Sequence, residues 1–370
     1  MRNGASMAQW FLQPIRTETG VFHSIDALRG LAAVAVVIYH YKNFFGGTGG
    51  GASPSDATLA KLRATPLFEA LRPVLDHGVL AVTLFWIISG FVFLHVYGGR
   101  RPDARGFWVA RIARLYPLHL ATLLAVAGLQ AISAAVFGGY QIYQHQDLKH
   151  FALQLAMASN WGLEDGNSFN GPIWSVSVEI AIYAMFFAAL RLTPLGPVAL
   201  VVFAAGFGAL FFTLGGLVAL CGLYFFVGAL VYVAYRLARD HAPGLGLMLA
   251  WGLCVAGAVG LGPEAPATVR FIAGFGGLVA GLALLERRLP VLPFVWLKAL
   301  GDVSYAIYLL HSPLQIAFLL LVAAGAMPLS IVLSPVFAVL YLLSVGLLGR
   351  LVFMRFELPA QRIVRARLGS

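Results

Sequence analysis

The chain has 370 residues, 60% of them hydrophobic and 11% charged, with a formal net charge of +10. A soluble domain carries about 25% charged residues, so there is too little polar surface here to cover a water-soluble globule. A disordered chain, a coiled coil and a soluble nucleic-acid binder are excluded by the same count, and the basic excess fits cytoplasmic loops that set topology and meet anionic lipid.

In chain order, residues 1–26 form a cytoplasmic N-terminal segment. Arg2, Gln13, Arg16 and Glu18 leave it no apolar core for a cleavable signal peptide. A helix needs about 20 apolar residues to cross a bilayer. Ten stretches approach that: 27–44, 78–97, 115–137, 173–190, 195–213, 217–235, 244–262, 269–285, 303–324 and 329–349. Pro and Gly punctuate the breaks between many of them, and the fourth and fifth nearly touch, as in a tight hairpin. The predicted fold is an all-α polytopic membrane bundle of about ten helices within 27–353, followed by a basic cytoplasmic tail at 354–370. With the N-terminus inside, internal segments hold nineteen Lys and Arg and external loops four (Lys61, Arg63, Arg72 and Lys149), so both termini are expected in the cytoplasm. Cys221 and Cys254 lie in apolar stretches without metal-ligand spacing and read as packing residues.

Ionisable groups inside spans are costly and are functional candidates. On the first helix, DALRGLAAVAVVIYHY, Arg29 and His40 are eleven residues apart. That is about 20° past three full turns and roughly 16 Å of depth, so both share one face. The plainer alternative has Arg29 snorkelling to headgroups and His40 at the outer interface. The segment RRPDARGFWVARIARLYP is the densest cationic run. Its Arg111 and Arg114 are i,i+3 neighbours with the forked donors that suit phosphate, and topology signalling is the alternative. Of the two long external loops, at about 46–77 and 138–172, the second contains NWGLEDGNSFNG. Trp161 there is either a sugar platform or an interfacial anchor. In NGPIWSVSVEIAIY, Ser175 and Glu179 lie one turn apart on one face, and Glu179 sits roughly 10 Å below the outer boundary. In GDVSYAIYLLHSP, Ser304, Tyr308 and His311 recur at i, i+4, i+7 on one face.

An anion site at the inner side with a His/Glu site in the outer half suits a phosphate-tagged thioester such as acyl-CoA. Its nucleotide end would lie at Arg111 and Arg114, and its arm would run past Arg29 toward His40. The sequence resembles the acyltransferase 3 family of integral membrane O-acyltransferases, best known from bacterial surface-glycan modification. The matching segments are 26–40, 78–93, 110–117, 171–183 (GPIWSVSVEIAIY), 301–314 and FELP at 356–359. The resemblance implies acyl donation, usually of acetyl, from cytoplasmic acyl-CoA. It implies that His40 is catalytic and paired with Arg29, that Arg111 and Arg114 act on the donor side, and that Glu179 is functional. Ser175, Tyr183, Tyr308, His311 and Trp161 are expected to support the site or touch substrate. The expected acceptor is a cell-surface glycan or its lipid-linked precursor, with no metal and no nucleic acid, in a bacterial inner membrane. The alternatives are O-acylation of a small molecule such as a macrolide, or transport of an anionic lipid or sugar.

Overall fold

The computed structural model describes residues 20–46, 60, 65–193, 195–260, 265–289 and 298–369. The expectations for Arg2, Gln13, Arg16, Glu18, Lys61 and Arg63 lie outside these residues. Among the described residues the regular structure is all helical: α1 (His23–His40), α2 (Pro66–His77), α3 (Leu80–Tyr97), α4 (Ala104–Phe137), α5 (Leu148–Leu155), α6 (Ile173–Leu192), α7 (Pro197–Leu214), α8 (Leu217–His241), α9 (Pro243–Val255), α10 (Ala267–Glu286), α11 (Ser304–Ala323), α12 (Pro335–Val352) and α13 (Leu358–Leu368). The chain is an α-helical, multi-pass membrane protein. Among the described residues, eight helices are long and apolar enough to cross a bilayer.

Two of the ten expected spans are shorter than anticipated. The stretch 27–44 ends as an α-helix at His40 and tightens into a 3-10 turn over Tyr41–Gly46. The stretch 244–262 passes from α9 into a π turn at Ala256–Gly260. There Gly257 meets α10 so closely that a Cβ would lie 2.2 Å from the Gly274 nitrogen. Other boundaries move the opposite way. The cationic run expected to be a loop is already helix α4 from Ala104, because the Asp103 side chain caps it by accepting from Gly106 N at 2.8 Å. The expected basic tail is also helical, joined to α12 by a π turn at Phe353–Glu357.

The chain divides into two compact units: Met1–Gly30, Val82–Pro102 and Val178–Gly301; and Leu31–Ala81, Asp103–Ser177 and Asp302–Ser370. In the first, α8 packs on α7 and α10, and α9 on α10. Small residues let α3 and α8 touch backbone to backbone, as lipid-embedded helices favour. A Cβ on Gly90 would lie 1.7 Å from the Phe225 carbonyl oxygen, and one on Gly228 2.0 Å from that of Ile87. The start of α1 is capped from a distance: Glu286 accepts from His23 N and Ser24 N, both at 2.9 Å, and from Ser24 Oγ at 2.6 Å. A carboxylate also suits the positive end of the helix dipole.

In the second unit, α11 packs against α4 and α12, and α13 lies along α4. Pro313 inside α11 has no N–H to give the Leu309 carbonyl four residues back. Asn170 supplies the missing donor, its Nδ2 reaching Leu309 O at 3.2 Å and Thr122 Oγ1 at 2.9 Å. One side chain thus mends α11 and ties the segment before α6 to α4. The expected loop at 138–172 is structured around α5, with Asp147 as its N-cap. It contains the non-glycine residues Ile142, Met157, Asn160 and Phe169 at positive φ, a conformation uncommon for residues with a Cβ.

Candidate active site

His40 ends α1 and belongs to the second unit. Its Nδ1 lies 2.9 Å from Val36 O. A carbonyl only accepts, so Nδ1 carries the proton and Nε2 keeps its lone pair. The last carbonyls of a helix lack intrahelical donors, and Gln315 on α11 supplies one to His40 O at 2.9 Å. The Oε1 of Gln315 accepts from Asn43 Nδ2 at 3.5 Å. This pairing fixes the end of α1 and with it the His40 ring.

The His311 ring lies against His40, with centroids 4.9 Å apart and planes at 40°. His311 is wholly buried, and neither ring nitrogen has a partner in good hydrogen-bond geometry. Its nearest polar groups are the Ile307 and Tyr308 carbonyls of its own helix. Tyr341 donates to the His311 carbonyl at 2.9 Å. Tyr308 donates to Pro172 O at 2.7 Å, which leaves Ser175 as the donor in the 2.6 Å Ser175–Tyr308 contact. The predicted Ser175, Tyr308 and His311 are therefore brought together around α11.

Glu179 is in the first unit, 9% exposed, and accepts from Tyr183 Oη at 2.7 Å. Tyr183 stacks on Phe93, with centroids 4.3 Å apart. Arg29, also in the first unit, is 3.4 Å from Asp26 Oδ1 and 3.4 Å from the Gly301 carbonyl oxygen. In the second unit, Arg111 lies 5.9 Å from the Phe107 ring centroid. Arg114 forms an ion pair with buried Glu357 and lies 5.8 Å from the Tyr305 ring. Both sit well inside α4 rather than at its start, and part of the Arg114 fork is committed to Glu357. Trp161 is 43% exposed and donates its indole N–H to Ser177 O at 3.0 Å. It anchors the loop while presenting part of its ring.

The loop adds Tyr143, whose hydroxyl bonds Asn43 and lies near Tyr39. Burial pushes its pKa up. A Cβ on Gly171 would sit 2.3 Å from the Tyr143 ring, so only glycine fits beneath it. His145, Asp147 and His150 place potential ligand atoms within 4.8 Å of one another. Asp147 and His150 cap the helix, Asp147 accepting from His150 N at 2.9 Å and Nδ1 at 2.7 Å while His150 Nε2 accepts from Asp165 N at 3.1 Å, and His145 stacks on the His150 ring.

Sequence reasoning missed Asn43, Gln315, Tyr143, Asn170 and Glu357. Gln315 had a signal, since it continues the Tyr308–His311 stripe by one turn. Asn170 had half of one, because Pro313 implies an orphan carbonyl that needs a donor. Glu357 and Tyr143 find their partners only through tertiary contacts.

Paired imidazoles, one with a free basic nitrogen, in an all-helical membrane protein define a polytopic membrane protein with a candidate acid–base centre. A family model described as an acyltransferase domain matches residues 22–351. The chain belongs to that family, acyltransferase 3. Among curated proteins it is 31% identical over 170 residues to acyltransferase MdmB of Streptomyces mycarofaciens, covering 44% of this chain and 38% of that protein. It is 33% identical over 110 residues to protein 2 in the picA locus of Rhizobium radiobacter, covering 29% of this chain and 44% of that protein. The chain thus spans less than half the length of each of these relatives. No solved structure matches it.

Proposed function

We propose that the protein transfers an acyl group, acetyl foremost, from cytoplasmic acyl-CoA to a hydroxyl of a cell-surface glycan or its lipid-linked precursor, in a bacterial inner membrane. The observation that carries this reading is the His40 tautomer, whose unprotonated Nε2 is the atom a general base needs. Nε2 takes the proton of the acceptor hydroxyl as its oxygen attacks the thioester carbonyl carbon. The C–S bond breaks, an ester forms, and the proton passes to the departing CoA sulfur. His311 shields the imidazole and lines the path of the acceptor.

On the donor side, Arg111 beside Phe107 suits the phosphates and adenine of CoA. Arg114 contributes the part of its fork that Glu357 leaves. Arg29 and Glu179 are assigned functional roles on the strength of the family motif, Arg29 toward the donor. Ser175, Tyr183 and Tyr308 hold their neighbours in place, and Trp161 is assigned to the acceptor.

The test is transfer of radiolabelled acetyl-CoA by the purified chain in lipid. His40→Ala is expected to lower transfer by about 10²–10⁴-fold with the helical content kept. Full activity in that variant refutes the base assignment. Absence of any thioester turnover in the unaltered protein, with uptake of an anionic lipid or sugar instead, refutes acyl transfer altogether.

A further inference from the structure

The 138–172 loop reaches toward the paired imidazoles through the side chain of Tyr143. The backbone before it is clamped to α4: Gln130 Nε2 donates to Gln141 O at 2.7 Å, Gln141 N donates to Gln130 Oε1 at 2.9 Å, and Gln141 Nε2 donates to Ser133 Oγ at 2.9 Å. The chain then turns sharply. Tyr143 N donates to Gln141 O, two residues back, at 2.6 Å, and Ile142 between them has φ 61. A three-residue turn with positive φ at its centre is rare and strained, and a β-branched residue there is least suited to it. Strain of this kind persists where the surroundings impose it, and it gathers near functional sites. What the turn achieves is the aim of the next side chain: the Tyr143 ring passes over Gly171 and its hydroxyl reaches Asn43.

Packing alone does not call for that hydroxyl, since phenylalanine would fill the space over Gly171 equally well. A series of amides ending at His40 does call for it. Gln315 donates from Nε2 to His40 O at 2.9 Å, and its Oε1 accepts from Asn43 Nδ2 at 3.5 Å. A side-chain amide can turn by half a revolution with little change of shape, so its partners set its orientation. Because Asn43 presents a donor, Gln315 presents its own N–H to His40. A flipped Gln315 would set an oxygen against the His40 carbonyl oxygen. The last turn of α1 would then fray, the ring would leave Val36 O, and the imidazole proton could sit on either nitrogen. Asn43 lies in the 3-10 turn that follows α1, and the Tyr143 hydroxyl holds its amide from the loop. All four residues belong to the second unit.

We propose that Tyr143 is a positioning residue for the base: through Asn43 and Gln315 it sets the amide orientation that finishes α1 at His40 and keeps His40 Nδ1–H directed at Val36 O. Its action passes through other side chains and not through substrate. The proposal rests on the acyl-transfer reading for its effect on rate, whereas its effect on the imidazole needs no reaction.

The test uses the full chain in lipid nanodiscs and two readouts. One is CoA release from acetyl-CoA. The other is nitrogen NMR of isotope-labelled histidine, with the His40 ring assigned by its loss in His40→Ala. Tyr143→Phe is expected to lower kcat by about three- to tenfold, the contribution of one neutral hydrogen bond. KM for acetyl-CoA is expected to stay unchanged, because the donor is assigned to Arg111 and Arg114. The His40 ring is expected to pass from a single tautomer, protonated at Nδ1, to a mixture of two. Asn43→Leu is expected to do the same, and the double variant to be no worse than Asn43→Leu alone, since both break one relay. Should Tyr143→Phe fail to fold, Asn43→Leu is read in its place. The role is overturned if the folded variants keep the single tautomer, if they keep the unaltered kcat, if the loss falls on KM instead, or if the two substitutions add in full. A tautomer mixture in Tyr143→Phe, in a protein that releases no CoA, removes the acyl-transfer reading and keeps the positioning role. Turnover with a His40 ring indifferent to Tyr143 does the reverse.

Discussion

Both compact units contain buried histidines, and His95 of the first is treated differently from His311 of the second. In the first, His95 is 6% exposed with both ring nitrogens engaged: Nδ1 with Tyr232 Oη at 3.0 Å, and Nε2 with Gly20 O at 2.9 Å. In the second, His311 is more deeply buried and neither ring nitrogen has a partner in good geometry. The His95 imidazole joins separate elements together, whereas the His311 ring turns only to the Ile307 and Tyr308 carbonyls of its own helix and to the His40 ring, which leaves it committed to no other side chain.

The comparison can be broken by substitution. The largest stability effect is expected from Arg114→Ala, which removes the ion-pair partner of the buried Glu357 carboxylate in the second unit and keeps only neutral donors such as Gln361 on it. Loss of about 3 kcal/mol is expected, seen as a lower unfolding temperature in detergent and largely recovered by adding Glu357→Gln. Next come the histidines themselves. His95→Leu removes the donor to the Gly20 carbonyl and one partner of the Tyr232 hydroxyl and should cost about 2 kcal/mol, with acetyl transfer per folded molecule retained. His311→Leu is expected to do the opposite, lowering transfer by about tenfold with unfolding temperature kept, because a buried polar ring that ties no other element is replaced by an apolar side chain. Equal losses of activity in the two variants would erase the distinction.

A smaller effect is expected of Asn170→Leu, about 1 kcal/mol from the orphaned Leu309 carbonyl, read as faster amide exchange in α11. The smallest concerns Asp147, whose carboxyl is held below the usual carboxylate range, chiefly by the His150 N–H. A depressed folded value means that the cap is at full strength above the unfolded carboxyl pKa of about 4. It is lost as pH falls through the lower folded value. Amide exchange at His150 should therefore quicken only in that acidic window, and Asp147→Asn should flatten the dependence.

Several features were legible along the chain. Apolar run lengths located most of the spans, and the i, i+4, i+7 stripe on α11 named Tyr308 and His311 before any contact was known. Where the reading slipped, local chemistry overrode hydropathy. Asp103 starts α4 eleven residues early, before the apolar run begins. A π turn at a glycine-rich stretch cuts the seventh span short. The contacts that fix the site could not be read from spacing, because Gln315 to His40 and Glu357 to Arg114 are separated by 275 and 243 residues.

The amino-acid order by itself determined that this is a helical membrane protein, because burying so many apolar residues with so few charges has one physical outlet, and its motif segments carried the resemblance to the acyltransferase 3 family. The three-dimensional structure alone decided which nitrogen of His40 carries its proton, which histidine packs against it, and which carboxylate Arg114 engages. Those properties belong to atoms on different helices, and proton positions follow from whichever acceptor happens to lie opposite.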